Sequence, residues 1–150
     1  MSSIDKDGNV ISHLKPKPKK KSSRPRVIEK ERDHIQPTVD EFYELFRLTH
    51  KCWRVRIPDI VYHAILTHPN LKKYQKAEIM SYLKSLPDNI FLKSTDDGYA
   101  SALCLELKTI GNTLSQGQEK FAREVNTHIG YTFRESREMI EKWYQGQSDE

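Results

Sequence analysis

The chain reads as a single α/β domain, layered around a small sheet. Three observations carry that reading. Apolar residues recur at helical spacing in several segments, two-residue alternation marks strands between them, and a polar turn containing Asp97-Gly98 joins two of those strands. The 150 residues suit one core, and no internal repeat is visible.

The first predicted helix covers residues 37–49, "PTVDEFYELFRLT". Thr38 and Glu41 stand at capping-box spacing there, and Phe42, Leu45, Phe46 and Thr49 share a face. "CWRVRI" alternates like a strand, whereas "DIVYHAIL" after Pro58 fits either strand or helix. A second helix over 71–84 aligns Tyr74, Ala77, Met80 and Leu83. Residues 89–92 read as a short strand, followed by the turn "KSTDDGYA" and a long strand over 101–108. Ser115 then caps a helix with the stripe Phe121, Ala122, Val125 and Ile129, and Gly130 sits where a C-cap glycine belongs. "YTF" suggests another short strand, and Ser136 opens a last helix through about residue 144.

Composition narrows the function. No apolar run approaches the roughly 20 residues that span a bilayer, so no membrane partner is expected. The opening "MSSIDKDGNVISHLKPKPKKK" lacks the apolar core of a secretory signal. Cys52 and Cys104 are too few for a disulfide framework, and neither has zinc-site neighbours. A reducing, cytoplasmic setting is expected, that of the host if the chain is viral.

The net charge of +4 is uneven. Residues 1–38 hold ten Lys and Arg against five Asp and Glu; residues 39–150 hold fifteen against sixteen. Within residues 15–26, "KPKPKKKSSRPR", seven basic residues and three prolines stand without an acid. Such a stretch cannot bury enough apolar surface to offset its ordering entropy. Residues 1–36 are therefore expected to be a mobile basic arm, residues 37–145 the domain, and 146–150 a polar tail. Lys17, Lys19, Lys20, Lys21, Arg24 and Arg26, with Lys72 and Lys73 in the domain, are the candidate phosphate contacts. A purely solubilising tail has the same composition.

The strand over 101–108 carries the chemistry. Alternation puts Ala102, Cys104, Glu106 and Lys108 on one face, with Leu103, Leu105 and Leu107 on the other. Pairing with 89–92 through the Asp97-Gly98 turn brings Asp88 to the Glu106–Lys108 end. Two carboxylates and a lysine at one hairpin mouth suit Mg²⁺ or Mn²⁺, since Mg²⁺ takes one or two carboxylates and keeps several waters. Such a site can activate water against a phosphodiester. Glu-x-Lys alone is also an ordinary surface ion pair, worth about 0–1 kcal/mol.

The run "PDNIFLKSTDDGYASALCLELKTIGNTLSQGQEKF" resembles the virus-type replication-repair nuclease domain (VRR-NUC), a branch of the PD-(D/E)xK nuclease superfamily. Pro87-Asp88, Gly98-Tyr99, Glu106-Leu107-Lys108, Leu114-Ser115 and Gln118 fall on its pattern in order, with Leu86 in place of the usual glycine. The similarity extends over about residues 64–144. It implies a restriction-endonuclease-like core, a small mixed central sheet flanked by helices. It further implies a Mg²⁺- or Mn²⁺-dependent DNA endonuclease acting on branched or structured DNA in replication, repair or recombination. Asp88 and Glu106 would be metal ligands, with the Leu107 carbonyl a further one. Lys108 would be the catalytic lysine and Gln118 a supporting residue, although Ser115 and Gln118 also form a capping box. A carboxylate on the first helix is implied as well: Glu41 borders the apolar face, with Glu31 and Asp33 as rivals. A homodimer would supply a second cut and a wider footprint. The alternative is a non-catalytic DNA-binding module that keeps the fold.

Other residues weigh less. Pro58-Asp59 also precedes an apolar run, but its distance from Glu106 would require a long insertion in the hairpin. His63 and His68 are spaced wrongly for a helical metal pair, Trp53 and Trp143 suit a core, and Arg54 and Arg56 suit phosphate contact or a solvated face.

Overall fold

The structure, a computed structural model, describes residues 3–4, 10–11, 30 and 34–146. Strands β1 (Ser3–Ile4) and β2 (Val10–Ile11) pair as an antiparallel ribbon. The domain then runs α1 (Gln36–Phe46), β3 (Trp53–Val55), α2 (Asp59–Thr67), α3 (Lys73–Ser85), β4 (Asn89–Ser94), β5 (Ala100–Leu107), α4 (Gln116–Glu124), β6 (Thr127–Gly130) and α5 (Phe133–Tyr144). It is an α/β domain with a four-stranded mixed sheet.

The sheet order is β3-β4-β5-β6, with β3 and β5 each antiparallel to β4 and β6 parallel to β5. The parallel pair needs a crossover, which α4 supplies. Phe91 lies opposite Leu103 and Asn89 opposite Leu105, so these side chains share one face. There, with Leu107, they meet Ile35, Val39, Tyr43 and Phe46 from the α1 segment and Ile140 from α5. Phe91, Leu105, Ile35 and Ile140 are fully buried, each worth about 1.5–3 kcal/mol of burial. The opposite face carries Ile90, Leu92, Cys104 and Glu106.

Helix α1 begins earlier than its capping box suggests. Ile35 and Gln36 are buried, so the domain reaches back into the segment assigned to the arm. Thr38 therefore lies inside the helix, where its hydroxyl donates to the His34 and Ile35 carbonyls. It caps nothing. "DIVYHAIL" resolves as α2, because Pro58 fixes an extended turn at its N-terminus.

The C-terminal third also shifts by a few residues. Helix α4 stops at Glu124, and Ile129 and Gly130 belong to β6 instead of a helix end. Gly130 is selected by space: a Cβ there would overlap Ser136 Oγ and stand 3.3 Å from Leu107 Cδ2. Thr132, not Ser136, caps α5, its side chain accepting from the Glu135 amide at 3.1 Å. Ser136 is buried and donates to the Thr132 carbonyl at 2.9 Å. Trp53, expected in the core, is 63% exposed. Gly98 turns the β4–β5 hairpin at φ +84°, within a loop closed by the Thr95 amide on the Tyr99 carbonyl at 2.8 Å.

Candidate functional site

Asp88 is positioned by the end of α3. Leu86 precedes a proline, so its backbone is extended (ψ 148°), and the helix stops before Pro87. Continuing the Asn89–Leu105 register by one residue sets Asp88 opposite Glu106, on the face away from the main core. The two residues hold each other through backbone amides. Asp88 N donates to Glu106 Oε2 at 3.2 Å, and Leu107 N donates to Asp88 Oδ2 at 2.8 Å.

Glu106 is 2% exposed, in a strand of apolar neighbours. Its carboxyl is pushed from 4.5 up to about 8, by burial first and by the neighbouring Asp88 second, against the opposing pull of Lys108. Lys108 follows β5 directly. Its amide donates to the Gly130 carbonyl at 3.0 Å, and its Nζ stands 3.6 Å from Glu106 Oε1. Gln118 reaches the same oxygen from α4, Nε2 to Oε1 at 2.6 Å.

Gln118 keeps its capping role at the same time. Ser115 N donates to Gln118 Oε1 at 2.9 Å, and Gln118 N donates to Ser115 Oγ at 3.3 Å. The amide oxygen caps the helix while the amide nitrogen serves Glu106. Both readings of this residue coexist because an amide has two ends.

The structure thus gathers Asp88, Glu106, Leu107, Lys108 and Gln118. Glu41 stays apart: it is exposed on α1, and no hydrogen bond or ion pair of the cluster involves it. Lys72 and Lys73 are exposed where α3 begins. Lys17, Lys19, Lys20, Lys21, Arg24 and Arg26, like Glu31 and Asp33, lie outside the described residues.

Sequence reasoning missed the polar brace behind Asp88. Asn89 is fully buried on the core face, where Nδ2 donates to Gln36 Oε1 at 3.1 Å. Its Oδ1 accepts from Gln36 Nε2 at 3.2 Å and from Arg54 Nη1 at 3.3 Å. Arg54 also pairs with Asp40, the α1 carboxylate that turns inward, and its guanidinium lies over the Tyr43 ring. An asparagine at an inward strand position was the available signal. Tyr62, half-buried on α2, was missed too. Burial raises its hydroxyl pKa, and Asp88 and Asp59 add to the rise.

Among the described residues no group of three His, Cys, Asp or Glu side chains gathers as a metal cage. The donor set is one carboxylate pair. That fits the limited carboxylate demand of Mg²⁺. Glu106 also fits, because a cation between the two carboxylates would do what its retained proton does. No family model matches the chain, nor does any curated protein or solved structure.

Proposed function

We propose that this chain is a Mg²⁺- or Mn²⁺-dependent endonuclease that hydrolyses phosphodiester bonds in structured or branched DNA. It would belong to the VRR-NUC branch of the PD-(D/E)xK nucleases and share their restriction-endonuclease-like core. One observation carries the reading: Asp88, Glu106 and Lys108, eighteen and twenty residues apart from the first, converge at one hairpin mouth with Gln118 beside them. A buried carboxylate held against a second one is costly unless a proton or cation answers it. A fold that only bound DNA would gain nothing from keeping that cost.

Asp88 and Glu106 would hold the ion. When bound, it supplies an acidified water and neutralises charge on the phosphoryl oxygens. Lys108, a compact cation at the strand end, is placed to orient the attacking water or steady the phosphoryl group. Gln118 fixes the rotamer of Glu106. The first-helix carboxylate is assigned no role, since Glu41 faces solvent.

The test is incubation with a four-way junction, a flap, linear duplex, single strand and RNA, each with Mg²⁺, Mn²⁺ or EDTA. Metal-dependent DNA cleavage lost in Asp88→Asn, Glu106→Gln and Lys108→Ala is expected. Binding without cleavage would leave a DNA-binding module, and cleavage indifferent to these substitutions would remove the site.

A further inference from the structure

The carboxylate pair occupies one end of a sheet face whose other end is open. Going back along β5 from Glu106, Cys104 and Ala102 share that face. The register sets Leu92 opposite Ala102, and Trp53 opposite Leu92. Trp53 is 63% exposed there, Val55 is 41% exposed, and Ala102 is exposed. A shallow cavity of about 340 Å³ opens beside the indole, bounded by Lys51, Cys52, Leu92, Ser94 and Ala100. Lys51 is exposed at its rim. The second tryptophan differs: Trp143 is half-buried, with Nε1 donating to Ser101 Oγ at 3.0 Å.

We infer that Trp53 is a stacking platform for an unpaired nucleobase on the strand whose phosphodiester lies at Asp88 and Glu106. This rests on the nuclease reading and narrows its substrate. Leu92 stands four residue steps along the strand from Asp88, about 13 Å. That distance equals about four nucleotides of stacked single strand at ~3.4 Å each. A base in duplex offers only its edges, whereas an unpaired base offers a plane, and stacking of this kind tolerates any sequence. The preferred substrate therefore carries a short unpaired segment beside the scissile bond, as a flap or frayed arm does.

A second copy pairing along β3 would also cover Trp53. The strand is only three residues long, however. A contact of that size falls short of the roughly 1,000 Å² that a specific protein interface needs. An aromatic plane with a basic rim, on the same face as the carboxylate pair, matches a nucleic-acid strand better.

The test uses the full chain in EDTA, so that it reads binding and not cleavage. With Trp143→Phe making Trp53 the sole indole, oligothymidine and a flap should quench its emission and a blunt hairpin duplex should not. Trp53→Ala should weaken flap binding about tenfold, leave blunt-duplex binding nearly unchanged, and be rescued largely by Trp53→Phe. Absence of quenching, or equal weakening on both DNAs, overturns the inference. So does a dimer in sedimentation that Trp53→Ala splits. Quenching that persists while cleavage ignores Asp88→Asn sinks the nuclease reading alone.

Discussion

Asp88 and Glu106 hold each other across the β4–β5 hairpin, the Asp88 amide on the Glu106 carboxylate and the Leu107 amide on the Asp88 carboxylate, at 3.2 and 2.8 Å. Each acid is thereby aimed by the other strand's backbone. The site is as rigid as the hairpin, and the hairpin's register is fixed by the leucines on its opposite face.

The buried Glu106 makes metal-free stability depend on pH. Its carboxyl, raised to about 8 by burial and then by Asp88, keeps in the folded chain a proton that the unfolded chain releases near 4.5. Between those values the native state binds more protons, so stability falls as pH rises through the window. Urea unfolding in EDTA should show a lower midpoint at about pH 8 than at about pH 5. Glu106→Gln should flatten that fall. Parallel profiles for the two proteins would disprove it.

Gln118 can be split into its two jobs. Gln118→Glu keeps an acceptor for the Ser115 amide, so the cap should survive. It places a third carboxylate beside Glu106 and removes the donor at 2.6 Å, so activity at limiting Mg²⁺ should drop and its metal dependence shift. Gln118→Ala should lose both side-chain contacts, at a stability cost below the ~1 kcal/mol of a whole cap because Ser115 Oγ still accepts the residue 118 amide. Parent-like activity in Gln118→Glu, with stability lost only in Gln118→Ala, would mean that capping is the whole role.

The polar brace predicts that a residue on the core face matters to the carboxylate pair on the other. Gln36→Leu removes both amide bonds to Asn89, which stays fully buried. The cost should be about 1–3 kcal/mol in urea unfolding. Because Asn89 adjoins Asp88, cleavage measured under fully folding conditions should fall as well. A variant as active and as stable as the parent would show that the brace is dispensable.

Gly130 lies where β6 meets α5. Gly130→Ala should cost about 1–3 kcal/mol, because the added methyl has to displace Ser136 Oγ, which is itself tied to Thr132. Ser136→Gly in the same chain should recover part of the loss. Calorimetry of the single and double variants decides it.

The spacing of the apolar residues settled most of the architecture in advance. Leu103, Leu105 and Leu107 alternate with Cys104 and Glu106, which marked the leucine face as the main core and set Glu106 on the other. Pro87 ended α3, and the Ser115–Gln118 spacing began α4, both through backbone chemistry local to a few residues. Signals failed where two local readings competed. Thr38 and Glu41 had a capping box's spacing, but the burial of Ile35 and Gln36 drew the helix past them. Gly130 had a C-cap's position, but packing against Ser136 required a glycine in a strand.

By itself, then, the sequence determined which residues alternate, where the chain turns, and that an acid, an acid and a lysine share a hairpin end. These follow from dihedral preference and period, which act over a handful of residues. The tertiary structure alone decided that Gln118 reaches Glu106, that Gln36 and Arg54 brace Asn89, that Glu41 faces water and that Trp53 stays uncovered. Those outcomes depend on how helices distant in the chain close over a sheet, and no short-range pattern encodes which side chains that closure brings within hydrogen-bond reach.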